Sequence, residues 1–131
     1  MGYQSDWKLA IHGPKAKVQK MIKWMKEQRS SASDKRVDFG TSPKQVWESI
    51  LECQEKIKTA EGEMTVVWGD PGTKCYEPWT AVIHDILSHA RDNLKIDAAY
   101  ARLGEEINDH EFDNGEELYI PYSFHLLEVE T

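Results

Sequence analysis

The stretch from Met64 to Leu103 constrains this chain most, because it changes hydrophobic period twice within forty positions. Glu63-Met-Thr-Val-Val-Trp68 is β-branched and aromatic, as a strand requires. Gly69-Asp-Pro-Gly72 then reads as a turn. From Glu77 onward Trp79, Val82, Ile83, Ile86, Leu87, Ala90 and Leu94 recur at three- and four-residue spacing, the stripe of an amphipathic helix. Pro78 suits its first position, and Asp92-Asn93 can end it. A second strand follows at once, Lys95 to Leu103. A helix tied so tightly to strands on both sides must lay its apolar stripe across the sheet they join.

The remainder extends this pattern. Tyr3, Ser5, Trp7, Leu9 and Ile11 alternate with Gln4, Asp6, Lys8, Ala10 and His12, the period of a half-buried strand ending at Gly13-Pro14. Val18, Met21, Ile22, Trp24 and Met25 then share one side of a helix, with Lys15, Lys20, Lys23 and Lys26 on the other. Arg29 to Ser42 reads as a loop with a brief extended piece at Val37 to Phe39. Ser42-Pro43 supplies an N-cap and N1 proline for a second helix. Its stripe is Val46, Trp47, Ile50, Leu51, Cys53 and Ile57, closed by Glu61-Gly62. Beyond Leu103, Ile107 and Phe112 are expected to pack inward. Asn114-Gly115 is a hairpin signal, and Leu118, Ile120, Tyr122, Phe124 and Leu126 alternate along a last strand in which Pro121 favours an edge or bulge. The expectation is one domain over residues 1–131 and a two-layer α+β fold: helices on one face of a mainly antiparallel sheet, ferredoxin-like with an added helix.

Composition excludes some classes. No apolar run approaches the roughly 20 residues needed to span a bilayer, and the opening residues lack the basic flank and apolar block of a signal peptide, which points to a cytoplasmic protein. Asp6 breaks the myristoylation pattern that Gly2 would begin. Cys53 and Cys75 have no metal or redox spacing and read as reduced thiols. No nucleophile elbow, phosphate loop or dinucleotide glycine pattern is present, and the five histidines have no zinc spacing. Asp109-His-Glu111-Phe-Asp113-Asn-Gly115 suggests a calcium loop, yet its glycine comes one place late and Ile120 stands where the closing Glu belongs. No catalytic, metal or cofactor residue is therefore assigned. The five tryptophans fit apolar stripes; one near the 29–42 loop could instead serve as an exposed interface anchor.

The net charge of -7 is unevenly spread. Lys8 to Lys44 is mainly basic, whereas every charged residue from Glu105 to the end is acidic. Glu105, Glu106, Asp109, Glu111, Asp113, Glu116 and Glu117 form the candidate partner-binding set. Direct nucleic-acid binding is not expected, since the chain is acidic and its lysine-bearing helix has no interleaved exposed aromatics. Nor is a membrane contact.

Two stretches carry a resemblance. Met1-Gly-Tyr-Gln-Ser-Asp6 running into a strand, and Tyr100-Ala-Arg-Leu-Gly-Glu-Glu106 before an acidic turn, resemble small phage and prophage proteins of unassigned function. Those open Met-Gly-Tyr-Arg-Ser-Asp and carry an Arg-Ile-Gly-Glu-Glu-like motif; here Gln4 and Leu103 replace the arginine and the isoleucine, and the second helix looks like an addition. The resemblance covers the outer thirds of the chain and implies a small protein of the bacterial host cytosol. Joined to the acidic surface, it gives the expectation of a non-catalytic interaction protein, an inhibitor that docks on a basic surface of a host defence or nucleic-acid-processing protein. A small-ligand or nucleotide-binding module and an enzyme of unknown class are the alternatives. The last strand, if an edge, could pair with its copy in a homodimer.

Overall fold

A computed structural model of the chain describes residues 5–36, 41–73, 77–104 and 110–113. Five strands form one antiparallel sheet in the order β2-β3-β1-β4-β5. β1 spans Ser5–Pro14, β2 Gln54–Ala60, β3 Glu63–Thr73, β4 Asp97–Gly104 and β5 His110–Asp113. Helices α1 (Lys15–Ser31) and α2 (Pro43–Glu52) link β1 to β2, and α3 (Glu77–Ser88) links β3 to β4. This is the ferredoxin-like arrangement, with α2 as an added helix and β5 as an added strand beside β4.

The alternation expected of β1 decides the layers. Trp7, Leu9 and Ile11 face the helices and are almost completely buried. In register beside them stand Trp68 and Val66 of β3 and Tyr100 and Ala98 of β4. Onto this surface pack Val18, Met21 and Met25 of α1, Val46, Trp47 and Ile50 of α2, and Trp79, Val82, Ile83, Ile86 and Leu87 of α3. Ser42 caps α2 as its sequence implied: Gln45 N–H donates to Ser42 Oγ at 3.2 Å, and Ser42 N–H donates to Gln45 Oε1 at 2.9 Å.

Four sequence expectations change. The second helix stops at Glu52, and residues 54–60 form β2. Gln, Glu and Lys are good helix formers, but Glu61 (φ 52°) and Gly62 (φ 82°) make a tight turn with two positive φ angles, which folds this segment back on β3 as a hairpin. Gly69-Asp-Pro-Gly72 is not a turn: β3 continues to Thr73 through a bulge, Asp6 lying opposite both Pro71 and Gly72, so that proline escapes the ladder. The first helix runs on to Ser31, its last turn closed by Ser30 and Ser31 hydroxyls donating to the Lys26 and Glu27 carbonyls at 3.2 and 3.1 Å. Finally, α3 ends in a π-helical turn, His89–Asn93, and the left-handed residue after it is Lys95 (φ 56°) rather than Asn93. Val37 to Phe39, Ile107, the Asn114-Gly115 hairpin and the last strand lie outside the described residues. Among the described residues no helix is long and apolar enough to cross a membrane.

Candidate interaction surface

Of the seven acidic candidates, Glu111 and Asp113 are described, both on β5; Glu105, Glu106, Asp109, Glu116 and Glu117 lie outside the described residues. Residues two apart on a strand share a face. Register places Glu111 opposite Arg102 of β4, with Phe112, which is half-buried, opposite Ala101. Arg102 Nε donates to Glu111 Oε1 at 3.1 Å, and its Nη1 donates to Ser5 Oγ at 3.1 Å. Arg91 on the π turn reaches the other carboxylate: Nη1 lies 2.8 Å from Asp113 Oδ1, while Nη2 donates to the Ala98 carbonyl at 2.8 Å. The two described members of the candidate partner-binding set are thus aimed by arginines of their own chain. Each nevertheless keeps 49% of its side chain exposed. Ion pairs this open to water are worth about 0–1 kcal/mol, so a cationic partner can compete for them at little cost. Asp113 also lines a shallow depression of about 180 Å³ with His84, Leu87, Ser88, Arg91 and Asp92.

A second polar group lies at the opposite side of the sheet, on the face away from the helices. Lys58, Thr65, His12 and Asp97 stand in one row across β2, β3, β1 and β4. His12 Nδ1 is 2.7 Å from Thr65 Oγ1, and its Nε2 lies 3.5 Å from Glu63 Oε1. Hydroxyl, imidazole and carboxylate follow the order of an activated nucleophile. The carboxylate contact is long, however, and His12 and Glu63 are 42% and 57% exposed, so water screens the pair. The geometry is that of a surface hydrogen bond beside an ion pair. Among the described residues, no three His, Cys, Asp or Glu side chains converge as metal ligands.

Two buried features escaped sequence reasoning. Lys8 of β1 pairs with Glu55 of β2, and half-buried Cys53 lies just before that strand. Burial first, and then the charges of Asp70, Glu52 and Glu55, push the Cys53 thiol above its ordinary pKa. This keeps it protonated and a poor nucleophile. Cys75 lies outside the described residues. The other feature is the half-buried Trp24, whose ring stacks on His89 (centroids 3.9 Å apart, planes 5° apart) and meets the edge of Trp47 at 5.6 Å. It joins all three helical segments, while Trp7, Trp47, Trp68 and Trp79 are core residues. Periodicity could not have found the stack, because it depends on how two separate helical segments pack together.

Comparison with known proteins adds no relative: no protein-family model, curated protein or solved structure matches this chain.

Proposed function

We propose that this chain is a non-catalytic, phage-type interaction protein whose acidic region, beginning at Glu105 and including β5, occupies a basic surface on a host defence or nucleic-acid-processing protein. The observation that carries the reading is the β5 ladder. It fixes two half-exposed carboxylates on one face of the strand, within a sequence stretch whose charged residues are all acidic. Fixed, complementary charge raises association rates and rejects like-charged partners. The resemblance of the two outer sequence stretches to phage and prophage proteins supports the bacterial setting.

The test is capture from bacterial lysate, with nuclease treatment to remove bridging nucleic acid, by the wild-type chain and by a variant with Glu105, Glu106, Asp109 and Glu111 all changed to Lys. A nuclease-resistant partner held by the wild type and released by the variant is the expected result. Retention of that partner by the charge-reversed chain would defeat the mechanism.

A further inference from the structure

Against the expectation drawn from the chain's overall charge, we infer that the lysine face of α1 is a separate docking surface for the phosphate backbone of duplex nucleic acid. Lys15, Lys20, Lys23 and Lys26 are all exposed. At 3.6 residues per turn they fall within roughly 140° of helix arc and along about 16 Å of axis. None of them enters an ion pair with a described residue, unlike Lys8, Arg91 and Arg102, and neither does Glu27, the acidic residue on the same arc.

This placement works against the helix. Its first turn holds Lys15 and Lys17 with no acidic residue, and no side chain caps it, so cations sit at the positive end of the dipole. Lys20, Lys23 and Lys26 repeat at i, i+3, where like charges repel. A face that opposes local stability in this way calls for an external counter-charge. The two described carboxylates of β5 do not provide it, since α1 packs over β1 and β3 while β5 lies beyond β4.

The chemistry of the arc selects the polyanion. It presents lysines with no aromatic or branched aliphatic anchor, and Val18, Met21 and Met25 are buried beneath. Protein interfaces deplete lysine and depend on such anchors, lipid surfaces require an apolar face to insert, and single strands require stacking rings. Duplex phosphates require only fixed cations.

The test is fluorescence anisotropy with a short mixed-sequence DNA duplex, using the full chain. With four phosphate contacts at a slope near 0.9 per contact, affinity falls roughly a hundredfold between about 50 and 200 mM salt. Changing Lys20, Lys23 and Lys26 to Gln lowers that slope to about a quarter and weakens binding at least about tenfold at low salt, without lowering Tm. Glu111→Gln leaves the slope unchanged, which separates this surface from the acidic one. Absence of binding at low salt would overturn the assignment. So would equal binding by the triple variant, or displacement of the duplex by poly-glutamate or anionic vesicles at equal charge concentration.

Discussion

Lys8 on β1 reaches Glu55 on β2 across the intervening strand β3, over the bare Cα of Gly69. Two sequence details make this possible. Glu55 is the extra residue of a bulge between Gln54 and Lys56, which re-aims its side chain. A Cβ on Gly69 would stand 2.7 Å from Lys8 Cδ, 2.9 Å from the Trp7 carbonyl oxygen and 3.0 Å from Glu55 Oε1. The Lys8 side chain is only 5% exposed, so the carboxylate is needed to hold its charge. Gly69→Ala should cost about 1–3 kcal/mol by urea denaturation. Combined with Lys8→Ala, the loss should be smaller than the sum of the two, since one of the crowded neighbours is gone. Strict additivity would show that the side chain does not lie over the glycine.

Trp79 Nε1 donates to the Tyr100 hydroxyl at 2.9 Å inside the core, with Trp79 also edge-on to Trp7 at a centroid separation of 4.8 Å. Tyr100→Phe keeps the ring and orphans a buried indole N–H. The expected loss is about 1–3 kcal/mol, with a change in the near-ultraviolet tryptophan signal. A variant as stable as the wild type would mean that the indole finds another acceptor.

The Ser42–Gln45 capping box closes the exposed donors of α2. Ser42→Ala should lower stability by about 1 kcal/mol and Ser42→Asp should retain most of it. The two midpoints, compared in urea, test whether the cap or merely the small volume at this buried position matters.

His89 is held below its ordinary pKa of 6.5 by burial, and Asn93 Nδ2 lies 2.9 Å from its Nδ1, where an unprotonated nitrogen accepts the amide proton. The unfolded chain therefore binds this proton more readily than the folded one. The contribution of the neutral ring to stability is complete above about 6.5, declines as pH falls from there towards the lowered folded value, and levels off below it. His89→Phe keeps a flat ring against Trp24 and should flatten this part of the Tm-against-pH curve. If wild type and variant fall in parallel, the titrating group is elsewhere.

Periodicity made β1, α1, α3 and β4 legible, because each turns a single apolar stripe to one core and no neighbour competes with that pattern. It failed at Gln54–Ala60, where local propensity and the spacing of Ile50, Cys53 and Ile57 both favour helix and only the unpaired side of β3 demands a strand. Ile57 records the conflict: it faces the helix layer beside Val66 yet remains 49% exposed. Gly69–Gly72 failed for a related reason, since glycine and proline mark a bulge as readily as a turn. At the candidate surface, the clustering of carboxylates was plain from composition. Their arginine partners were not, because Arg91 and Asp113 meet only when the π turn and β5 are brought together, and Arg102 and Glu111 only through cross-strand register.

The position of β1 at the middle of the sheet has a consequence for biosynthesis. This strand pairs on both sides with segments translated much later, Glu63–Thr73 and Asp97–Gly104, and Ser5 finds its β4 neighbour only when Gly104 has emerged. Until then β1 keeps one edge unpaired, so nascent chains halted before β4 are those on which a chaperone would act.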